Sequence, residues 1–181
     1  MNKKQFKFFV IASILVTLIF LTIKFYESST LNAANKKNNS LITEEKKEAY
    51  LFSEKTIAGD TLDLSKFKGK VVILNFWATW CPYCVEEIPH LIKLQEKYKN
   101  KIQVIGITVD DKEAQISVRQ FVEQKKINYP ILFSSQDIAK GYAPMKGIPM
   151  SIILDKNLMV VQKVVGYQNK AFFEKQIKSL L

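Results

Sequence analysis

The chain opens on an apolar block and changes character twice after it. Phe8 to Ile23 is a run of sixteen residues without a charge, behind the basic start Asn2-Lys3-Lys4-Gln5-Phe6-Lys7. Residues 27–48 are dominated by Ser, Asn, Lys and Glu and hold no motif. From residue 49 onward, short apolar runs alternate with stretches of helical spacing.

Within that last region the pattern predicts the elements one by one. Tyr50 to Ser53 and Thr61 to Leu64 flank the turn signal Ala58-Gly59-Asp60 and predict a small hairpin. Val71 to Trp77 is almost continuously apolar, as a strand buried on both faces must be, and so predicts a central, parallel strand. A helix is expected from Pro82 to Tyr98 and a second buried strand from Ile102 to Val109. Ile116, Phe121 and Val122 give Glu113 to Lys126 helical spacing. A short strand at Ile131 to Phe133 and a short helix at Gln136 to Tyr142 follow. Ser151 to Leu154 and Met159 to Val165, joined by Asp155-Lys156-Asn157, predict a second hairpin, and Ala171 to Leu181 a closing helix. Strands alternating with helices imply a βαβ core, and the closing hairpin makes the sheet mixed: an α/β domain with an N-terminal β-hairpin extension.

The apolar block predicts export. Sixteen residues of helix fall short of a hydrocarbon core of about 30 Å. Extended from Phe6 to Tyr26, the span reaches roughly 31 Å, with Lys7 and Lys24 placed to reach the two interfaces. Phe8, Phe9, Phe25 and Tyr26 sit where aromatic side chains favour head groups. The leading lysines favour a cytoplasmic N-terminus. Residues 1–26 are therefore read as a single membrane-spanning anchor in the cytoplasmic membrane, 27–48 as a polar linker, and 49–181 as a domain on the extracytoplasmic (periplasmic) side. A cleaved signal segment is the alternative, although Ser28-Ser29-Thr30 and Ala33-Ala34 make no clean cleavage site.

Composition narrows the function. Net charge is +10, half of it within residues 1–40. Over the rest the lysines are scattered, without the basic stripe of a nucleic-acid binder, so no nucleic-acid partner is expected. Only two cysteines are present, at positions 81 and 84, too few for a disulfide framework. A sole pair at CxxC spacing points to redox or metal chemistry. Zinc usually takes four ligands, and the sequence has no other Cys and a single His, His90, so no metal site is expected.

The spacing fits redox work. Cys81 falls at the junction of a predicted strand and helix, and Cys84 lies one turn on. The first sulfur would face the unpaired N–H groups and positive pole of the helix, which favour the nucleophilic thiolate. Pro82 suits the first helical position. At 100° per residue, Ile88, Leu91, Leu94 and Tyr98 fall on the Cys84 side, with Glu87 among them. Glu86 points away with His90, Lys93 and Lys97, so His90 is expected at the surface. Glu87 is thus a carboxyl aimed at the core beneath Cys84, where desolvation raises its proton affinity and lets it exchange a proton with that thiol. Pro89, inside the helix, should kink it.

Asn75-Phe76-Trp77-Ala78-Thr79-Trp80-Cys81-Pro82-Tyr83-Cys84, followed by Glu87 and Pro89, resembles the WCxxCxxExP pattern of the membrane-anchored thioredoxin-like proteins of the TlpA/ResA/CcmG (DsbE) type. Lys146-Gly147-Ile148-Pro149-Met150 looks like the same family's segment carrying a cis-proline before a strand. The resemblance runs from about Ala49 to Leu181. It implies a thioredoxin-like fold and dithiol–disulfide exchange at Cys81 and Cys84, with no cofactor beyond that redox-active disulfide. It also implies a cis Ile148–Pro149 bond packed against Cys81, and a substrate groove formed by Trp80, Pro82, Tyr83, Ile148 and Pro149.

The departures inform. Thioredoxin has an acidic residue where this chain has Asn75, which leaves Glu87 as the proton acceptor. Met150 replaces the Thr that often follows the cis-proline. Strongly oxidising distant relatives carry His between the cysteines, whereas Tyr83 supplies no cation, which predicts a reductant. The resemblance further implies electrons from a membrane thiol-electron transporter and protein disulfide substrates such as apocytochrome c. Two alternatives stay open: a disulfide oxidase or isomerase using the same site, and a copper-binding or delivery module recruiting Met145, Met150 or Met159.

Overall fold

The computed structural model describes Lys24 and residues 47–181. The anchor expected over 1–26 and the linker over 27–48 lie outside the described residues, apart from Lys24, Lys47 and Glu48. No helix among the described residues is long and apolar enough to cross a membrane.

Two three-residue strands, β1 (Ser53–Lys55) and β2 (Thr61–Asp63), form the N-terminal hairpin. After a 3-10 turn at Leu64–Phe67 come β3 (Val71–Trp77), α1 (Pro82–Tyr98), β4 (Ile102–Thr108) and α2 (Gln115–Gln124). Then follow β5 (Ile131–Phe133), α3 (Gln136–Gly141), β6 (Met150–Leu154), β7 (Val160–Val165) and α4 (Lys170–Leu180). The main sheet has the order β5-β4-β3-β6-β7. β3, β4 and β5 are parallel, and β6 and β7 run antiparallel. The mixed α/β sheet with its N-terminal hairpin is the fold the pattern predicts.

All seven residues of β3 are buried, as its apolar run requires of a central strand. Alternation assigns them to two cores. Val71, Ile73 and Trp77 face α1 and α4, meeting Ile88, Leu91, Leu94, Phe173 and Ile177. Val72, Leu74 and Phe76 face the other side, where Ile138 of α3 and Phe52 and Leu62 of the N-terminal extension cover them. Each such large side chain contributes about 1.5–3 kcal/mol by leaving water. Parity puts Asn75 on the α1 face, and its register partner Ser151 in β6 points the same way. This strand therefore carries a polar side chain into the apolar layer beneath α1.

Two sequence expectations shift. The first hairpin strand lies at Ser53–Lys55, not Tyr50 to Ser53. The chain before it is committed elsewhere: Ala49 N–H donates to the Leu158 carbonyl (3.0 Å), and Leu64 N–H to that of Phe52 (3.0 Å). The turn closes one residue beyond the new strand, with Thr56 N–H on the Asp60 carbonyl (2.8 Å) and Gly59 at φ +101°. Leu64, expected to end β2, instead starts a 3-10 turn because Asp63 caps it by accepting from Ser65 N–H at 2.9 Å. The helix expected from Pro82 to Tyr98 is found with those bounds, Pro89 inside it.

Candidate active site

The site forms where β3 gives way to α1. Thr79 pins the connecting loop to Asp110, just past the end of β4. Its N–H donates to Asp110 Oδ2 (2.9 Å) and its hydroxyl to Oδ1 (2.7 Å). Thr108 completes the clamp with its own hydroxyl on Oδ2 (2.5 Å). Two adjacent parallel strands thus fix the approach to Cys81, which occupies the N-cap of α1 in extended conformation.

Cys81 and Cys84 are joined as a disulfide across the first helical turn, with Cα atoms 5.3 Å apart. Cys84 N–H points at Cys81 Sγ, 3.2 Å away, so the sulfur takes the capping role of a Ser or Asp side chain. Pro82 stands at the first helical position, where its missing N–H costs nothing. The two cysteines are both buried, Cys81 at 5% exposure and Cys84 at 1%. Around Cys81, Trp80 (67%), Pro82 and Tyr83 (65%) are exposed, an apolar rim on a domain that otherwise shows few large apolar side chains.

The Ile148–Pro149 peptide bond is cis. Met150 pairs with Phe76, so Pro149 lies level with the end of β3, beside the loop that carries Cys81. Ile148 is half-buried and packs against the core cluster that contains both cysteines. A second cis bond, Ala143–Pro144, had no sequence signal.

Glu87 is buried to 1% exposure beneath Cys84, in the apolar face where helical periodicity puts it. Its carboxyl is held on both oxygens. Asn75 Nδ2 donates to Oε1 (2.8 Å) and the main-chain N–H of Gln168 to Oε2 (2.6 Å). Asn75 spends its second amide hydrogen on Ser151 Oγ (3.0 Å). Burial pushes the Glu87 carboxyl up from 4.5 to about 7, against the opposing pull of the bonds from Gln168 and Asn75. Tyr129 is buried nearby; burial first, and the Glu87 charge second, raise its phenol above the usual range. Glu86 is exposed, as expected. His90 corrects its expected surface position: it is half-buried, with Nε2 2.9 Å from the Tyr167 hydroxyl, a partner 77 residues away.

The site therefore includes Asn75, Ser151, Gln168 and Asp110 as well as the residues singled out from the sequence. Asn75 and Ser151 had a readable signal, each being a polar residue inside an otherwise apolar strand. Gln168 had none, since it acts through its backbone.

The buried carboxyl makes stability depend on pH. Its folded-state value lies above that of the unfolded chain, so the folded protein holds the proton more tightly. The contribution is complete below about 4.5 and is lost as pH rises through about 7. The unfolding free energy of the oxidised protein should fall by about 3 kcal/mol across that interval. Glu174, held down to about 2 mainly by Lys97, titrates below this window. Urea denaturation at a series of pH values checks the slope, which Glu87→Gln should flatten.

A strand-to-helix junction that carries an exchangeable cysteine pair, faced by a cis-proline and set on a mixed sheet, defines a thioredoxin-like thiol–disulfide oxidoreductase. Residues 46–163 match the AhpC/TSA family, and the chain belongs to that thioredoxin-like family. It is 36% identical over 136 residues to the thiol-disulfide oxidoreductase ResA of Bacillus thuringiensis subsp. konkukian (strain 97-27), covering 74% of this chain and 77% of that protein. It is 35% identical over 127 residues to the thioredoxin-like protein YneN of Bacillus subtilis (strain 168), covering 70% and 74%. Among solved structures, a thiol:disulfide interchange protein from Chlorobium tepidum TLS superposes with a TM-score of 0.71 at 28% identity, over 75% of this chain and 97% of that one. The protein is a thiol–disulfide oxidoreductase of the ResA/DsbE type with Cys81 and Cys84 as its pair.

Proposed function

We propose that the protein is a membrane-tethered, extracytoplasmic reductant of protein disulfides in which Cys81 attacks, Cys84 resolves and Glu87 carries the proton. The observation that carries this reading is the stacking of roles along one helix: a cysteine at the N-cap beside an exposed apolar rim, a more deeply buried cysteine one turn on, and a buried carboxyl beneath it. With the pair reduced, the helix N-terminus favours the Cys81 thiolate. That thiolate attacks one sulfur of a substrate disulfide, forming a mixed disulfide and releasing the other sulfur as a thiolate. Glu87 takes the Cys84 proton, and the Cys84 thiolate attacks Cys81 Sγ. The mixed disulfide breaks, the second substrate sulfur leaves and is protonated, and two electrons have passed to the substrate.

The exposed Trp80, Pro82 and Tyr83 and the half-buried Ile148 suit an extended polypeptide laid across the sulfurs, with Pro149 shaping its bed. Among the described residues, the Ile148 N–H and C=O have no main-chain partner, so both are available to a substrate strand. Cysteines of apocytochrome c fit this substrate class. A membrane thiol-electron transporter suits the donor role, and the apolar block at Phe8 to Ile23 supports a location at the cytoplasmic membrane.

Tyr83 between the cysteines supports reduction over oxidation, because it offers the thiolate no positive charge. The copper reading loses Met150, which is fully buried in the layer on the opposite side of the sheet from the cysteines. Equilibration against glutathione or thioredoxin tests the direction of flow. A potential near about −270 mV is expected; one near about −120 mV would make the protein an oxidant.

A further inference from the structure

The connection between β7 and α4 touches three parts of the molecule within three consecutive residues. Gly166 N–H donates to the Pro149 carbonyl (2.8 Å). The Tyr167 hydroxyl meets His90 Nε2 (2.9 Å), and the two rings are packed with centroids 6.0 Å apart. Gln168 N–H donates to Glu87 Oε2 (2.6 Å). Glu87 and His90 lie three residues apart on α1, so two neighbouring loop residues grip one face of the helix while a third holds the cis-proline segment.

We propose that Tyr167 is a positioning residue for disulfide exchange: anchored on His90, it seats the Gly166–Gln168 loop so that one N–H holds the Glu87 carboxyl and another holds Pro149. The inference rests on Glu87 as the proton carrier. The loop has no other side chain on α1 among the described contacts. The Gln168 side chain turns back on its own loop, to the Gly166 carbonyl at 3.4 Å. Without the Tyr167 hydroxyl, the loop keeps on α1 only the ring packing against His90 and the bond that Gln168 must present to Glu87. Rigid loops hold reacting groups to within a fraction of an ångström, and a loosened one lets both contacts drift.

The coupling runs both ways. An N–H bond to a carboxylate is stronger than one to the neutral acid, so the loop is held best while Glu87 is ionised. When Glu87 takes the Cys84 proton, its grip on Gln168 weakens, and through Gly166 so does the hold on the segment against which the substrate lies. By linkage, a strand bound at Ile148 alters the ease with which Glu87 gains its proton.

The groups facing the Glu87 carboxyl are few. Asn75, backed by Ser151, comes from the sheet; Tyr129 precedes β5; Gln168 is in the loop; Cys84 and His90 flank it on α1. The full chain carrying Tyr167→Phe keeps the ring packing and loses only the hydroxyl. The test reads the pH profile of insulin-disulfide reduction together with hydrogen exchange at the Gly166 and Gln168 amides. In Tyr167→Phe the pH midpoint should move up by about half a unit, because the carboxylate loses part of a stabilising donor. The KM for insulin should rise severalfold, and both amides should exchange faster. Tyr98→Phe removes a comparable hydroxyl bond between α1 and α4, to Glu174 (2.8 Å), and should leave the profile where it was. A profile flattened by Glu87→Gln but untouched by Tyr167→Phe overturns this proposal alone, even if the amides exchange faster. A wild-type profile in Glu87→Gln removes the proton carrier and this proposal with it.

Discussion

Cys81→Ala is expected to lower disulfide reduction by roughly a thousandfold or more, the scale of losing a covalent nucleophile. The geometry makes the two cysteines unequal. Cys81 keeps 5% exposure beside the apolar rim, against 1% for Cys84 deeper in the helix. Cys84→Ala should behave differently. Attack at Cys81 proceeds, no second thiol follows, and the substrate stays joined to the enzyme. Mass spectrometry of Cys84→Ala incubated with disulfide-bonded proteins should show adducts at Cys81 that dithiothreitol releases. Iodoacetamide should label Cys81 of the reduced wild type ahead of Cys84. Equal labelling of the two, or full activity without Cys81, would dismiss the assignment of roles.

Glu87→Gln should slow the resolving step by about 10²–10⁴-fold, the range spanned by positioned general bases. The amide keeps the size of the side chain and removes its capacity to take a proton. It also meets Asn75 Nδ2 and Gln168 N–H, both donors, with only one acceptor oxygen, so one contact is lost. Formation of the mixed disulfide at Cys81 should be nearly unchanged. The wild-type resolving rate should climb as pH rises through about 7, where Glu87 ionises, and level off above it. Stopped-flow quenching of the mixed disulfide across pH 5 to 9 separates the two steps. The assignment fails if the variant resolves at the wild-type rate near neutrality.

The parts of this molecule that the sequence discloses are those governed by periodicity. A buried seven-residue run reads as a central strand, and helical phase alone turns Glu87 inward and Glu86 outward. Contacts made across long separations stay hidden. His90 looks like a surface residue because nothing near it in sequence hints at Tyr167. Gln168 contributes an N–H that any residue but proline supplies. The first hairpin strand moved because its neighbours are held by Leu158 and Asp60, partners that side-chain alternation does not report. Asn75 lies between: its oddity among apolar neighbours is visible, but its bond to Glu87 depends on which face of β3 meets α1.

The stretch from Lys47 to Ile57 also bears on how the molecule avoids its own kind. Val160 N–H donates to the Lys47 carbonyl, and Glu48 bridges to Met159, beside one outer strand of the main sheet. At the opposite margin, Thr56 bridges to Leu132, and Ile57 N–H donates to the Ile131 carbonyl. Bare sheet margins invite pairing between molecules and aggregation. Eleven residues at the entrance to the domain thus shield both flanks in part, and a fragment trimmed to begin at β3 would lose that protection on each side while keeping its cysteines.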